Sequence, residues 1–426
     1  MGYVNRFIKK HFANNNKRGA ALLLAIMLGV VIMAVVTPLF NVVLLEQRMS
    51  GLQGHRTSAF YLADAGAQYA LYQLETTKGA WNGTNTPIYL TRGTETVGCF
   101  TVSMESTINN FGHIVYTARS IGRPLNSLSI ASIESKYRRD AYGDYMFLID
   151  DFGSTSMGTE DYVTGRVHSN SNLPIRGAPV YLRTVSTSGV IKKYTDTYTN
   201  PDTPYNPAFH EGYLEKIGKK PLPSVSDFMT LKSKAQANGL YISPSSDVTL
   251  TLNGNILTAY YKTGSKYTTV NYDITSGNGV VYINDHDIYI SGLLNGQVTI
   301  AGNNNVNVTG NLYYQDTTET SDDLLGLIAK LNITVKDSAP SDFLLCAEMI
   351  AVNGTVSAEL KKKKAISRVY GSIAASKMGG FWDGSKGYAV QHWLYDNRLK
   401  FLQPPNYFSI SNDEYYQVYW KNSYFM

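Results

Sequence analysis

Few residues in this sequence have both the type and the spacing to do chemistry. Asp285 and Asp287 stand two apart, so one strand face would carry both carboxylates and offer a cation two oxygen ligands; Asp322 and Asp323 form a second acidic pair. Polysaccharide cleavage needs a partner for such acids. Neither an Arg or Lys pair nor a further carboxylate stands nearby to complete a lyase or glycosidase site. His168 lies in Gly165-Arg166-Val167-His168-Ser169-Asn170-Ser171-Asn172-Leu173, a strand running into an Asn/Ser turn, with no acid, His or Cys at ligand spacing. Its expected role is a hydrogen bond to that turn. Cys99 and Cys346 are the only cysteines, and two buried free thiols are expected rather than a disulfide framework or a zinc site. With no nucleophile elbow, phosphate-binding glycine loop or metal signature, the sequence predicts a protein that is not an enzyme and carries no cofactor.

Lys361, Lys362, Lys363 and Lys364, with Arg368, form the one basic cluster beyond the N-terminus. It reads as a solvated turn or a sheet edge blunted by lysines; the sharper reading is a polyanion contact, to DNA or an anionic surface glycan. The net charge of +5 does not strengthen that reading, because Arg6, Lys9, Lys10, Lys17 and Arg18 supply all of it and the remaining 33 basic and 33 acidic residues cancel.

These side chains are positioned mainly by strands. Val281-Tyr282-Ile283, Ile288-Tyr289-Ile290, Val298-Thr299-Ile300, Val306-Asn307-Val308 and Ile333-Thr334-Val335 each place two β-branched residues two apart, separated by Asn, Gly, Asp and Ser. The triplets at Ile288 and Val306 are 18 residues apart, near the length of one coil of a parallel β-solenoid; an antiparallel sandwich would alternate in the same way. Leu325–Ala329, Leu345–Val352 and Tyr370–Ala375 look like further coils, with small residues where neighbours approach. Ahead of them, residues 201–223 hold five of the 14 prolines and read as a strap, followed by a short helix capped by Ser224 and Asp227 and stopped by a left-handed Gly239. Nearer the N-terminus, Val97–Met104, Ile114–Ile121 and Ser127–Ile133 read as a small antiparallel sheet. The aromatic C-terminal stretch from Tyr415 to Phe425 is expected to cover the open end of the solenoid.

Before any strand comes an uncharged run of 27 residues, Gly19 to Leu45, unbroken in apolar or small residues from Ala20 to Val36. As a helix it spans roughly 40 Å, against about 30 Å of bilayer hydrocarbon. Cations on its N-terminal side only put the N-terminus in the cytoplasm and the rest outside. Pro38 is expected to kink or locally melt it. Further on, Phe60, Ala63, Ala67, Ala70, Leu71 and Leu74 make one apolar stripe for a sheet to cover.

A secretory signal would be cut after its apolar region, but here the suggestive site precedes it. Lys17-Arg18-Gly19-Ala20 opening into Ala21-Leu22-Leu23-Leu24 resembles a type IV prepilin leader, and Leu44-Leu45-Glu46-Gln47-Arg48-Met49-Ser50-Gly51 with Ala59-Phe60-Tyr61-Leu62-Ala63-Asp64-Ala65-Gly66 resembles the helix of PilX-like minor pilins. The likeness covers about the first 75 residues. It implies cleavage between Gly19 and Ala20 by a prepilin peptidase, an anchor through Ala20, Leu24, Val36, Pro38 and Leu45, and assembly with other pilin or pseudopilin subunits. Major pilins carry glutamate at the fifth residue after cleavage. This chain has Leu24 there, which points to a subunit at the filament end.

The expected organisation is therefore a leader (1–19), a pilin-type helix (20–78), a small antiparallel head (79–140), a β-rich region with the proline strap and short helix (141–245), and a solenoid-like domain with the aromatic tail (246–426). The expected function is a non-enzymatic minor pilin of the cytoplasmic membrane and surface filament. A type II secretion pseudopilin and a membrane-tethered carbohydrate-binding or carbohydrate-cleaving β-helix remain the alternatives.

Overall fold

The computed structural model describes residues 2–108, 114–195, 203–408, 410 and 415–425. They form a long N-terminal helix followed by mostly β structure, in two compact units: residues 1–105, 117–135 and 419–426, and residues 106–116 and 136–418.

In the first unit helix α1, Gly2–Thr76, runs without a break through Pro38, so the expected local melting is absent. Pro38 has no N–H to give the preceding turn, and beside it the Thr37 hydroxyl donates to the Met33 carbonyl at 2.8 Å. A sheet of order β1 (Ile88–Arg92), β2 (Glu95–Ile108), β3 (Ile114–Pro124), β4 (Ile130–Arg139) ends on the strand Tyr415–Phe425. Ala63, Ala67, Ala70 and Leu74 of the predicted stripe are buried together with Ala59 and Leu62, while Phe60 and Leu71 are half-buried. The stripe is small because β3 crosses it at backbone distance: a Cβ on Gly122 would lie 2.3 Å from both the Ala59 carbonyl oxygen and the Ala63 nitrogen. The aromatic tail does not cover an end of the larger β unit. It is a strand of this small sheet, and Trp420 packs edge-on to Phe60 with ring centroids 6.1 Å apart. Alternating aromatic residues suit any half-buried strand, and composition alone did not say which sheet it would join.

In the second unit most strands pair in parallel. One ladder runs Leu240–Ile242, Val280–Ile283, Gln297–Gly302, Leu324–Ala329, the middle of Asp342–Ala358, the middle of Lys363–Met378, Phe147–Asp151, Val167–Ser169, Val185–Thr187 and Tyr213–Leu214. A second joins Val248–Gly254, Ile288–Leu294, Val306–Tyr314 and Ile333–Val335; a third joins Lys363–Met378, Gly387–Tyr395, Asp161–Val163, Val180–Tyr181 and Ala208–Phe209. The 18-residue spacing appears as register, with Ile288, Tyr289 and Ile290 opposite Val306, Asn307 and Val308. Antiparallel pairing enters with the excursion 248–273.

The spatial order of the first ladder differs from chain order. The chain enters at Phe147 in the middle of the stack, builds toward Tyr213, and then restarts at the far end with Leu240. From there it winds back until Ile373 lies beside Phe147. Residues 141–245 and 246–418 thus build one stack rather than two neighbouring regions. Along the first ladder alternate residues face opposite sides. Val281, Ile283, Ile300, Leu327, Met349 and Ile373 enter the large core, while Val280, Tyr282, Ala301, Ile328, Ile350 and Ala374 form a second one. Helix α2, Val225–Asn238, covers that second face with Phe228, Leu231 and Ala235, joined by Tyr407, Phe408 and Ile410.

Two local expectations change. Gly239 is not left-handed; glycine is needed there because a Cβ would lie 2.3 Å from the Val280 carbonyl oxygen. The proposed capping partner Asp227 has its side chain outside the described residues.

Candidate functional site

The N-terminal half of α1 is apolar and has nothing packed on it. Every residue from Ala21 to Ser58 is exposed. Leu24 is 70%, Val36 53% and Leu45 58% accessible, and this is the one helix, among the described residues, long and apolar enough to cross a membrane. Gly19 and Ala20 lie on the same unbroken helix, their side chains outside the described residues. A helix apolar on all sides needs lipid or other helices around it, whereas the stripe beyond Ser58 is already covered by its own sheet.

The basic cluster is less free than its sequence suggested. Lys361 reaches Glu359 at 3.3 Å and Lys362 reaches Asp337 at 3.4 Å, and Arg368 pairs with Asp342. The hydrogen bond and charge of Lys336, which also pairs with Glu359, hold that carboxyl down at about 2. Lys364 is buried, its Nζ donating to the carbonyls of Ala339 (2.7 Å) and Asp337 (3.0 Å), and burial lowers its pKa. Lys363 lies over the Trp382 ring, 5.9 Å from its centroid. The five cations therefore do not form one open patch.

The acidic candidates serve turns. Asp285 and Asp287 lie outside any strand, between Val280–Ile283 and Ile288–Leu294, and Asp285 has φ 63°. Asn303 Nδ2 donates to Asp285 Oδ1 at 2.7 Å, while the Asn305 backbone N–H and Nδ2 donate to Asp287 Oδ1 at 3.2 and 3.0 Å. Their carboxylates bind asparagines of the next turn, not one another's strand face. Asp323 is buried and accepts from the backbone N–H groups of Gly296 (2.6 Å) and Asp316 (2.8 Å), with Asp322 exposed beside it. Among the described residues no three His, Cys, Asp or Glu side chains converge on a metal site.

His168 is fully buried and holds its turn, Nδ1 on the Ser186 hydroxyl at 3.0 Å and Nε2 on Asn170 Oδ1 at 2.9 Å. Burial lowers its pKa, so the neutral imidazole is the working form. Both thiols are free: Cys346 is buried, which pushes it up to about 12, while Cys99 is only half-buried.

Sequence reading missed the buried ionic groups at the seam of the stack. Arg138 forks onto Asp144, Lys220 Nζ reaches Asp140 at 2.7 Å, and Arg398 Nη2 reaches Asp396 at 2.7 Å between the rings of Tyr314 and Tyr370. Glu348 has no such partner. It also missed a cleft beside the same seam, whose one quoted signal was Gly379-Gly380-Phe381.

No family model and no curated protein matches this chain. Among solved structures it is similar to the crystal structure of the competence-associated pilin ComZ from Thermus thermophilus, with 11% identity and a TM-score of 0.38, over 87% of this chain and 98% of that one.

Proposed function

We propose that this chain is a non-enzymatic, PilX-like subunit of a type IV pilus-type filament, held in the cytoplasmic membrane by α1 before assembly. The observation that carries this reading is the division of α1. Its C-terminal half is covered by the small sheet, while residues 21–58 are exposed on all sides and apolar as far as Leu45. Such a segment is at home in lipid before assembly and among like helices afterwards. The order of basic leader, Gly19, Ala20 and uncharged helix supports cleavage by a prepilin peptidase, with the N-terminus inside and the β units outside. In this reading the parallel ladders of residues 147–395 are coils of a β-solenoid head, supported by their shared register and 18-residue steps.

Position in the filament follows from Leu24. A cleaved subunit carries a new ammonium at Ala20 in an apolar bundle, where an unpaired charge is expensive, and Leu24 offers a neighbour no carboxylate to pair with it. A subunit with nothing above it needs no such offer. The test is mechanical shearing of cells that carry the chain and a complete pilus machinery. The chain is expected in the sheared filament fraction with the other pilins, and in the membrane fraction only when the prepilin peptidase is deleted. Cleaved chain that stays wholly in the membrane fraction of piliated cells would contradict filament assembly.

A further inference from the structure

Where the two runs of the second unit meet, Asp161–Val163 pairs with Gln391–Trp393, and Phe147–Asp151 pairs with the strand that ends at Met378. On either side of this seam the chain leaves the ladder, through residues 152–160 and through 379–386. Between these excursions lies a cleft of about 210 Å³, partly open to solvent. It is smaller than the roughly 300–1,000 Å³ that drug-sized ligands occupy, so its natural occupant is one small ring rather than an extended molecule.

The walls are fixed before anything binds. Asp161 is buried and accepts from Trp393 Nε1 at 2.7 Å through one oxygen and from the Gly158 N–H at 2.6 Å through the other, which ties one excursion to the opposite run. Phe381 packs edge-on to Trp393 with centroids 4.9 Å apart. Asp383 closes its own turn, Oδ1 accepting from the N–H groups of Ser385 (2.8 Å) and Lys386 (2.7 Å). Those hydrogen bonds hold its carboxyl below the usual range.

What the cleft offers a ligand is mixed in a particular way. Trp382 lines it half-buried, and its indole N–H is a buried donor with no acceptor among the described residues. Gln391 commits Nε2 to the Tyr388 carbonyl and has its Oε1 left to accept. The carboxylates of Glu160 and Asp383 add acceptors, and Arg176 supplies a guanidinium. Aromatic and thioether surface beside planar polar groups matches a ring that alternates C–H faces with hydroxyl edges. More carboxylates than cations line the cleft, which disfavours a carboxylated or sulfated ring and favours neutral hydroxyls that donate to acids.

We infer that this cleft binds one neutral monosaccharide unit, presented as the terminal residue of a glycan. The inference stands apart from the filament reading, since the cleft is complete within one unit and its occupancy does not depend on assembly. The test uses the full chain in a polyoxyethylene detergent, which has no sugar head, with saturation-transfer NMR against the methyl glycosides of glucose, galactose, mannose and N-acetylglucosamine. Methyl glucuronide serves as the anionic comparison.

At least one neutral glycoside is expected to receive saturation and to bind more tightly than the glucuronide. Trp382→Ala and Gln391→Leu should each weaken it by about tenfold or more. Thermal unfolding of both variants is followed in parallel, and Glu160→Gln, at an exposed position, provides a variant whose fold is not at stake. It should weaken binding several-fold with an unchanged melting curve. Silence of all four neutral glycosides, preference for the glucuronide, or binding unaltered in well-folded variants would overturn the inference.

Discussion

Glu348 is 1% exposed, and neither of its carboxylate oxygens has a hydrogen-bond partner. It shares the ladder face of Ile350, in a row with Gly326 and Ser372, beneath Gly143 of the entering chain. Burial drives its pKa well up, Asp144 and Asp396 push the same way, and Arg138 opposes them. In the unfolded chain a glutamate loses its proton near pH ~4.3. Above that pH the folded state binds the extra proton, so stability falls as pH rises until the folded value is reached; below it the penalty is absent. Glu348→Gln, a neutral isostere, is therefore expected to stabilise the protein by about 1–2 kcal/mol at pH 8, with the gain vanishing below pH ~4. Melting curves of the two proteins at both pH values check this, and equal destabilisation at both would refute it. Nothing in the sequence marked Glu348, because Cys346-Ala347-Glu348-Met349-Ile350 alternates like any other strand and the segment that buries it is distant in the chain. His168 was legible, since an isolated histidine beside Asn and Ser has few roles other than holding its turn. The tetralysine run was legible only as charge; Asp337, Glu359 and Asp342, which engage three of its cations, come from other turns of the fold.

At the scale of elements, close approach between strands decides which substitutions matter. Gly371 has φ +147°, and a Cβ there would lie 1.9 Å from the carbonyl oxygen of Ala347, its ladder partner. Gly371→Ala is expected to cost more than about 3 kcal/mol, because both the backbone conformation and the inter-strand spacing oppose a methyl group. Gly218→Ala, at an exposed site with nothing within 4 Å, should change stability by less than about 0.5 kcal/mol. Thermal unfolding of both variants tests the contrast, and similar losses would mean the strand spacing is not the determinant. The buried Arg398–Asp396 pair gives a second case. Asp396→Ala leaves the guanidinium buried without its carboxylate and should cost about 3–5 kcal/mol, measured by denaturant unfolding. The strands themselves were legible from paired β-branched residues, and the 18-residue step set their register. Their spatial order was not, because Phe147 beside Ile373 is a contact between distant segments that no local period encodes. Likewise, the alternation of the aromatic tail predicts a strand but not the sheet it joins.

For the molecule as a whole, the division of α1 organises the account: one half is bound to its own sheet, the other is left for lipid or for neighbouring subunits. Both halves were legible, the first as an apolar stripe with polar flanks and the second as an uncharged run behind five cations. Placement at a filament end rests on Leu24, with crowding of the large second unit along a close-packed shaft as the added physical reason. Gold-labelled antibody against the second unit should decorate filament ends, and even labelling along shafts would contradict that placement. The central claim, a processed pilin-type subunit, is tested most directly by the N-terminal sequence of the mature protein isolated from cells with an active prepilin peptidase. It should begin at Ala20; an intact Met1, or a new N-terminus beyond Leu45, would contradict the account.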